Sequence, residues 1–372
     1  MVAAFSRTSG LPSLPLEQGE GERPVRRKPI MTQPNATKDQ RWAILLAGGE
    51  GERLRPLTER WLGYHRPKQY CTFVGSRSML QHTLERARCL VGLKRIVTVI
   101  DRRHRIFIRE PGLPEIPGLV IEQPTGRGTA PGIFLPAAYV FAADPSATVL
   151  IFPSDHFVSS KDRFLRHVER AAQIAERVND RLVLLGATPD RPDTDYGWIE
   201  PETDVSGAMG SGVERAVKSF HEKPTESDAK RFFRDGYLWN TMIMAVKIKT
   251  LWALGYQFFP DMMRRFETLL PMLQAILNGT AGKAHEAIAL ANIYEDLEST
   301  NFSREILQHI PGQTVVLPMH DVDWNDWGRP ARILESLTRL GKHPTFPLHS
   351  LDQAVASPLL LRKAQGASAG NK

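Results

Sequence analysis

From Trp42 onward, short apolar runs alternate with longer stretches whose apolar residues recur at helical spacing. Five runs have the length and side chains of buried strands: Trp42–Ala47, Arg95–Ile100, Leu119–Glu122, Thr148–Phe152 and Leu182–Ala187. Between them, Met79–Leu90, Ala130–Ala142 and Arg163–Val178 read as amphipathic helices. This alternation predicts an α/β fold, a Rossmann-like mixed but mostly parallel sheet flanked by helices. Ligands on such sheets collect at the carboxyl ends of the strands. Gly48, Pro153-Ser154-Asp155 and Thr188 all fall at such ends.

The pattern then changes. Tyr196–Pro201, Val213–Phe220 and Leu238–Val246 predict an antiparallel addition, joined by a helix over Ser227–Arg234. Helices follow around Leu251–Leu254, Met262–Leu277 (broken or kinked at Pro271) and Ser303–His309, then a strand Thr314–Leu317 and a helix Ala331–Leu340. Residues 1–40 are rich in Pro, Gly, Ser and charge, have no period, and read as a disordered leader, in which Met31 rivals Met1 as the start. Residues 41–342 are expected to form the folded domain and 343–372 a flexible tail. No internal repeat is visible, which argues against an appended β-helix.

Composition narrows the class. A chain of 372 residues that is 42% hydrophobic can bury a substantial core. Its longest apolar runs fall far short of the roughly 20 residues a membrane helix needs, and the N-terminus lacks a secretory pattern. A cytoplasmic protein without a membrane partner is expected. Cys71 and Cys89 stand outside any Cys/His cluster and read as reduced thiols, not as a disulfide framework or zinc site. Histidines show no metal spacing, and no Gly-x-Ser-x-Gly elbow marks a hydrolase. Of the formal charge of +7, residues 1–41 carry three, with seven basic against four acidic side chains. The mild excess suits phosphorylated anions, and without interleaved aromatics it gives little reason to expect nucleic acid.

The candidate chemistry begins where the first strand empties into Gly48, Gly49 and Gly51, followed by Arg53, Pro56 and then Pro67-Lys68-Gln69. Glycines at a strand end let the backbone approach a ligand and aim N–H groups at phosphate oxygens. Arg53, Arg55, Arg60, Arg66 and Lys68 outnumber Glu50, Glu52 and Glu59, so the segment is expected to grip a polyphosphate. The spacing excludes a Walker A loop, because no lysine follows Gly51 in the required way. It also excludes a dinucleotide fingerprint, which needs a small residue where Leu54 stands.

Eight strings occur in family order: Leu46-Ala-Gly-Gly-Glu-Gly-Glu-Arg-Leu54, Pro67-Lys-Gln69, Gly126-Arg-Gly-Thr-Ala-Pro131, Pro153-Ser-Asp-His156, Tyr196-Gly-Trp-Ile199, Glu222-Lys-Pro224, Leu238-Trp-Asn240 and Asp323-Trp-Asn-Asp-Trp-Gly328. Over roughly residues 42–340 the chain resembles the mannose-1-phosphate guanylyltransferases, sugar-phosphate nucleotidyltransferases with the nucleotide-diphospho-sugar transferase fold. The resemblance implies Mg²⁺-dependent transfer of a nucleotidyl group from GTP to mannose 1-phosphate, giving GDP-mannose and pyrophosphate. It makes Arg53 and Lys68 the catalytic basic pair, with Arg53 on the leaving pyrophosphate and Lys68 on the α-phosphate. Ala47, Gly48, Gly49, Gly51, Gln123, Gly126, Arg127 and Thr129 would bind nucleotide, the last two at the start of a helix whose free N–H groups suit base or phosphate oxygens. Gly197, Glu222, Lys223 and Asn240 would bind the sugar phosphate. Asp155 and Asp326 would share one Mg²⁺, a hard cation suited to oxygen ligands. GTP and mannose 1-phosphate are then the partners, and the resemblance leaves room for a homodimer.

Each assignment has a plainer rival. Asp155 could cap a helix, Glu222-Lys223 could be a surface ion pair, Asn240 a turn residue, and Asp323 competes with Asp326 because Asp321-Val-Asp323 imitates the Asp-x-Asp of glycosyltransferases. Two positions depart from the family: Gln123 replaces a glutamate and Gly128 an asparagine, and a glutamine can both donate and accept. The segment Glu59–Arg66, with Trp61, Gly63 and His65, also differs. Glucose 1-phosphate or another triphosphate is the nearest alternative substrate. A non-catalytic nucleotide-sugar-binding regulatory subunit is the alternative of a different class.

Overall fold

A computed structural model describes residues 40–202, 214–280 and 282–351. The leader expected over residues 1–40 therefore lies almost wholly outside the described residues, as does the tail beyond Leu351. The chain runs β1 (Arg41–Ala47), α1 (Arg55–Leu62), α2 (Met79–Ala87), β2 (Ile96–Asp101), α3 (Arg105–Ile108), β3 (Leu119–Gln123), α4 (Thr129–Ala143), β4 (Thr148–Pro153), β5 (Phe157–Val158) and α5 (Lys161–Arg177). It continues with β6 (Leu182–Ala187), β7 (Gly197–Pro201), β8 (Arg215–Glu222), α6 (Glu226–Arg234), β9 (Leu238–Lys247), α7 (Ile248–Phe258), α8 (Pro260–Glu267) and α9 (Leu270–Leu277). It closes with α10 (Lys283–Glu295), α11 (Phe302–Glu305), β10 (Thr314–Met319), β11 (Trp324–Asn325) and α12 (Pro330–Arg339).

The main sheet has the order β3-β2-β1-β4-β9-β6-β10-β8-β7. The first four strands in that order are parallel, so Ala47, Asp101, Gln123 and Pro153 end along one edge. β9 runs antiparallel between β4 and β6, pairing Thr148 with Lys247 and Val183 with Ala245. The predicted addition is thus only partly peripheral: β7 and β8 lie at the margin, while β9 is central. Its run Leu238–Val246 is apolar on both faces and nearly all buried, as a central strand requires.

One apolar cluster packs α4 and α7–α10 on one face, and a second packs α2, α5 and α6 on the other. Helix α4 differs from its amphipathic expectation: every residue from Ala130 to Val140 is buried, because later helices cover its outer side. Pro271 does not kink a long helix but opens α9, where its missing N–H costs nothing. A third cluster joins Leu54, Leu57, Phe73, Trp327, Ile333, Leu337, Phe346 and Leu351. The expected tail boundary at residue 343 moves accordingly. Phe346 is buried against Trp61 and Phe73, and Thr345 N donates to Phe73 O at 3.0 Å.

A ribbon of two short strands matters most for the site. β5 pairs with β11 through Phe157↔Asn325 and Val158↔Trp324, and Trp327 stacks on Phe157 with centroids 4.3 Å apart. This fixes Asp326 beside Asp155. Among the described residues no helix is long and apolar enough to cross a membrane.

Candidate active site

The glycine loop is braced from below. Gln69 Nε2 donates to Ala47 O at 2.9 Å and Gly49 O at 2.8 Å, and the Tyr70 hydroxyl donates to Ala47 O. Gly51 adopts φ 67°, and a Cβ there would lie 2.9 Å from Lys68 N, so only glycine lets the Pro67-Lys68-Gln69 segment close against the loop. That closure aims Lys68, a nearly buried side chain, into the space between two aspartates. Its Nζ lies 3.0 Å from Asp155 Oδ2 and donates to the carbonyl of Asp326.

Asp155 follows β4 at the sheet edge, where Ser154 ties back to Leu46 O through both N–H and hydroxyl. Asp326 arrives from the far end of the chain on the ribbon. Its Oδ1 accepts from the Tyr196 hydroxyl at 2.7 Å, Gly328 N at 2.9 Å and Arg332 Nη1 at 3.0 Å, and its Oδ2 from Arg53 Nη2 at 3.0 Å. Burial alone would push the Asp326 carboxyl up, but Lys68, Arg332 and Arg53 outweigh it and hold the group well below the usual carboxylate range. Asp155 moves the same way, burial being offset chiefly by Lys68. His156, packed edge-on against Trp324, is driven by burial down to about 4 and is neutral at pH 7. Asp323, the rival to Asp326, is turned away onto Ser159 and Arg339.

Two hard carboxylates converging at the glycine loop have the donor chemistry of a Mg²⁺ site. Among the described residues Asp155 Oδ1 meets only the His156 ring, at 3.6 Å, and Asp326 Oδ2 only Arg53, a half-exposed side chain that also reaches Asp195 at 3.3 Å. The residues fit the ion once Arg53 turns outward to a phosphate. A second oxygen-rich group, Glu50, Glu52 and His65, lies nearby. Its members are already engaged: Glu50 with Arg103, Glu52 with Arg55, and both His65 nitrogens with Thr58 Oγ1 and Glu50 O.

Sequence reasoning did not single out Arg332 or the hydroxyl of Tyr196. Arg332 is buried, spans Asp326, Asp193 and Asp195, and stacks over the Tyr196 ring at 4.8 Å. The available signal was an arginine on the apolar stripe of a helix directly after the Trp-Asn-Asp-Trp-Gly string, beside Ile333, Leu334 and Leu337.

The expected nucleotide residues divide. Gln123 and Gly126 stand at the strand-end edge near Gly48 and Asp101. Arg127 instead faces the end of α10, and Thr129 the segment after it. Arg127 donates to the carbonyls of Tyr294 and Glu295, Thr129 Oγ1 accepts Phe302 N at 2.9 Å, and Ala130 N donates to Thr300 O. The anticipated free N–H groups at the start of α4 are thus partly used internally, because the chain returns over them. Gly128 is what permits this: at φ 83° a Cβ would lie 2.2 Å from Thr300 O, so the asparagine it replaces could not fit this approach.

On the other side, Gly197 pairs with Glu222 across β7 and β8. Burial pushes the Glu222 carboxyl up, opposed by Lys223 and Arg304. Lys223 is exposed at φ 48°, and Met242 beside the site has φ 57°, both uncommon for side-chain-bearing residues. Asn240 is buried, its Oδ1 accepting Met242 N at 3.0 Å.

A glycine loop braced beneath a lysine, with two aspartates converging on it at the carboxyl edge of a mixed sheet, defines an α/β protein with a charged site at its strand ends. The chain belongs to the nucleotidyl transferase family, whose model matches residues 42–342. It is 35% identical over 204 residues to the mannose-1-phosphate guanylyltransferase RfbM of Salmonella typhimurium, covering 53% of this chain and 40% of that one. It is 27% identical over 315 residues to a mannose-1-phosphate guanylyltransferase of Escherichia coli, covering 80% and 61%. A crystal structure from Thermus thermophilus, titled a mannose-1-phosphate geranyltransferase, superposes with a TM-score of 0.62 at 25% identity, covering 81% of this chain and 79% of that one. The chain spans between 40% and 61% of the length of these two curated relatives.

Proposed function

We propose that this protein transfers a guanylyl group from GTP to mannose 1-phosphate, releasing pyrophosphate. A phosphate oxygen of the sugar phosphate attacks the α-phosphorus, and the bond to the β-phosphate bridging oxygen breaks as pyrophosphate departs. The reaction calls for positioning and charge neutralisation more than for a covalent intermediate. The observation that carries the reading is the placement of Lys68 between Asp155 and Asp326 above the braced glycine loop. Its ammonium would neutralise the α-phosphate. Arg53 would exchange Asp326 for the pyrophosphate oxygens. Lys223 would hold the sugar's phosphate, and Glu222, Asn240 and the backbone at Gly197 its hydroxyls.

Asp155 and Asp326 would hold a Mg²⁺ that, when bound, offsets charge on the reacting phosphates. The expected setting is cytoplasmic, and a homodimer remains the proposed assembly. The intact set of Arg53, Lys68, Asp155 and Asp326 speaks against a non-catalytic subunit. The engagement of Asp323 by Ser159 and Arg339 speaks against a glycosyltransferase.

The test is pyrophosphate release by the full chain with Mg²⁺, using GTP, ATP, UTP and dTTP against mannose 1-phosphate and glucose 1-phosphate. GTP with mannose 1-phosphate should give the highest kcat/KM. A wide lead for UTP or dTTP would remove the guanylyl assignment, and no release with any pair would remove nucleotidyl transfer.

A further inference from the structure

Arg53 Nη2 meets Asp326 Oδ2 at 3.0 Å, and its other terminal nitrogen, Nη1, lies 3.3 Å from Asp195 Oδ2. The guanidinium thus spans two carboxylates from separate parts of the fold, one just after β11 and one in the loop that leads into β7. It rests against Gly328. A Cβ there would lie 2.6 Å from Nη2 and 2.7 Å from Cζ, so the seat exists only because that position carries no side chain.

The two carboxylates differ in what else is asked of them. Asp326 Oδ2 is the oxygen that its neighbours leave open for a metal, since Oδ1 already accepts from Tyr196, Gly328 and Arg332. Arg53 gives up its contact when that oxygen is taken. Asp195 is fixed by groups that no metal would claim. Its backbone N–H donates to Asp193 Oδ1 at 2.9 Å. Arg329 grips it with two nitrogens, Nε on Oδ2 at 2.9 Å and Nη2 on Oδ1 at 3.1 Å, and Arg332 Nη2 donates to Oδ2 at 2.9 Å. Burial alone would push the Asp195 carboxyl up, but Arg329, Arg332 and Arg53 outweigh it and keep the group ionised.

We propose that Asp195 is a positioning residue that acts through Arg53: it keeps the guanidinium at the site when Asp326 turns to the metal, so that the charge stands ready for the leaving pyrophosphate. Arg53 pivots on Asp195 between two arrangements. In one, both carboxylates hold it. In the other, Asp195 retains Nη1 while the nitrogen released by Asp326 meets a phosphate oxygen. A charge held in place beforehand needs no reorganisation as the transition state forms. Asp195 sets little repulsion against the phosphates, because Arg329 and Arg332 flank its carboxylate. The inference rests on the reading that Arg53 serves the departing pyrophosphate, and it gives Asp195 a part that its ion pairs alone would not.

The kinetic test is a double-mutant cycle in the full chain with GTP, mannose 1-phosphate and Mg²⁺, with a thermal melt of every variant. Asp195→Ala should lower kcat by roughly ten-fold, inside the hundred-fold that a misplacement of about 1 Å can cost. In an Arg53→Ala background the same substitution should change kcat by less than about two-fold, since the residue it acts through is gone. Equal losses in both backgrounds would mark a merely structural ion pair and overturn the inference. So would an unchanged or faster reaction when Arg53 is present. Should Asp195→Ala fail to fold, Asp195→Asn, which keeps the shape and removes the charge, is read by the same comparison. The second arm needs no turnover. A crystal structure of the full chain with Mg²⁺ and inorganic pyrophosphate should show Arg53 within about 4 Å of Asp195, the reach of an ion pair, and withdrawn from Asp326. Arg53 parted from Asp195, or still seated on Asp326, would overturn the inference. Absence of pyrophosphate release by the unaltered chain with every substrate pair would instead remove the proposed reaction, and the crystal would still decide the part of Asp195.

Discussion

Lys68 is held in place from three sides. Its stem is buried, its ammonium spans Asp155 and the carbonyl of Asp326, and the backbone before it is pinned against Gly51. Lys68→Ala and Arg53→Ala are each expected to lower kcat by about 10²–10³, the scale of losing one preorganised charge at a reacting phosphate. Steady-state pyrophosphate release, paired with a thermal melt to exclude unfolding, checks this. Near-normal turnover in both variants would refute the roles assigned to them. His156 carries a second residue-scale consequence. Its folded-state pKa of about 4 lies below the unfolded value of about 6.5, so the unfolded chain takes up a proton first as pH falls. Stability contributed by the neutral ring is complete above pH 6.5 and is lost between about 6.5 and 4, by roughly 2–3 kcal/mol from this residue. His82, His104, His167 and His221 shift in the same direction and add to the slope. In His156→Gln the fall in melting temperature across that window should be shallower than in the wild type.

Among the elements, the β5–β11 ribbon accomplishes most with fewest residues. Two pairs of residues and the Phe157–Trp327 stack bring Asp326 to Asp155. Trp327→Ala should cost about 3–5 kcal/mol as a large core truncation, measured by denaturant unfolding. At saturating substrate kcat should also fall, because Asp326 loses its anchor. A stability loss with unaltered kcat would show that Arg332 and Tyr196 hold Asp326 without the stack. The ribbon also marks the boundary of what the sequence discloses. The glycine loop, Pro67-Lys68-Gln69 and Pro153-Ser154-Asp155 are local strings, and the strands before them are apolar runs, so both fold and site edge can be read directly. The ribbon has no period to read: it is two residues from each of two distant segments, and only their pairing gives it meaning. Arg332 escapes for the same reason, being an ordinary helical residue until partners from elsewhere in the chain reach it. Helix α4 reads as amphipathic on its own because the helices that cover it come much later in the chain.

For the whole molecule, the third apolar cluster ties the site to the last described residues. Phe346 and Leu351 join a buried cluster with Trp61, Phe73 and Trp327, the last of which follows Asp326. Ending the chain after Lys342 would open that cluster and remove two buried side chains, each worth roughly 1.5–3 kcal/mol. A drop in melting temperature of several degrees is expected, together with weaker activity. If both were unchanged, residues 343–351 would be a mere covering.

The central position of β9 sets the order in which the protein can be made. When a ribosome has delivered residues up to Ala187, β1–β4 can pair among themselves, but β6 has no neighbour to join, since β9 must first enter between it and β4. Two apolar strand edges therefore stand open until residues 238–247 emerge, a long-range closure of the kind that folds slowly and invites aggregation. Chains ending near residue 190 and released from the ribosome should be protease-sensitive across β6 yet protected across β1–β4, and those ending well past Lys247 protected throughout. Protection of β6 in the shorter chain would show that the sheet grows by another route. The nascent chain is thus a half-sheet and a lone strand, and the strand that unites them also carries Asn240, the residue proposed to meet the sugar.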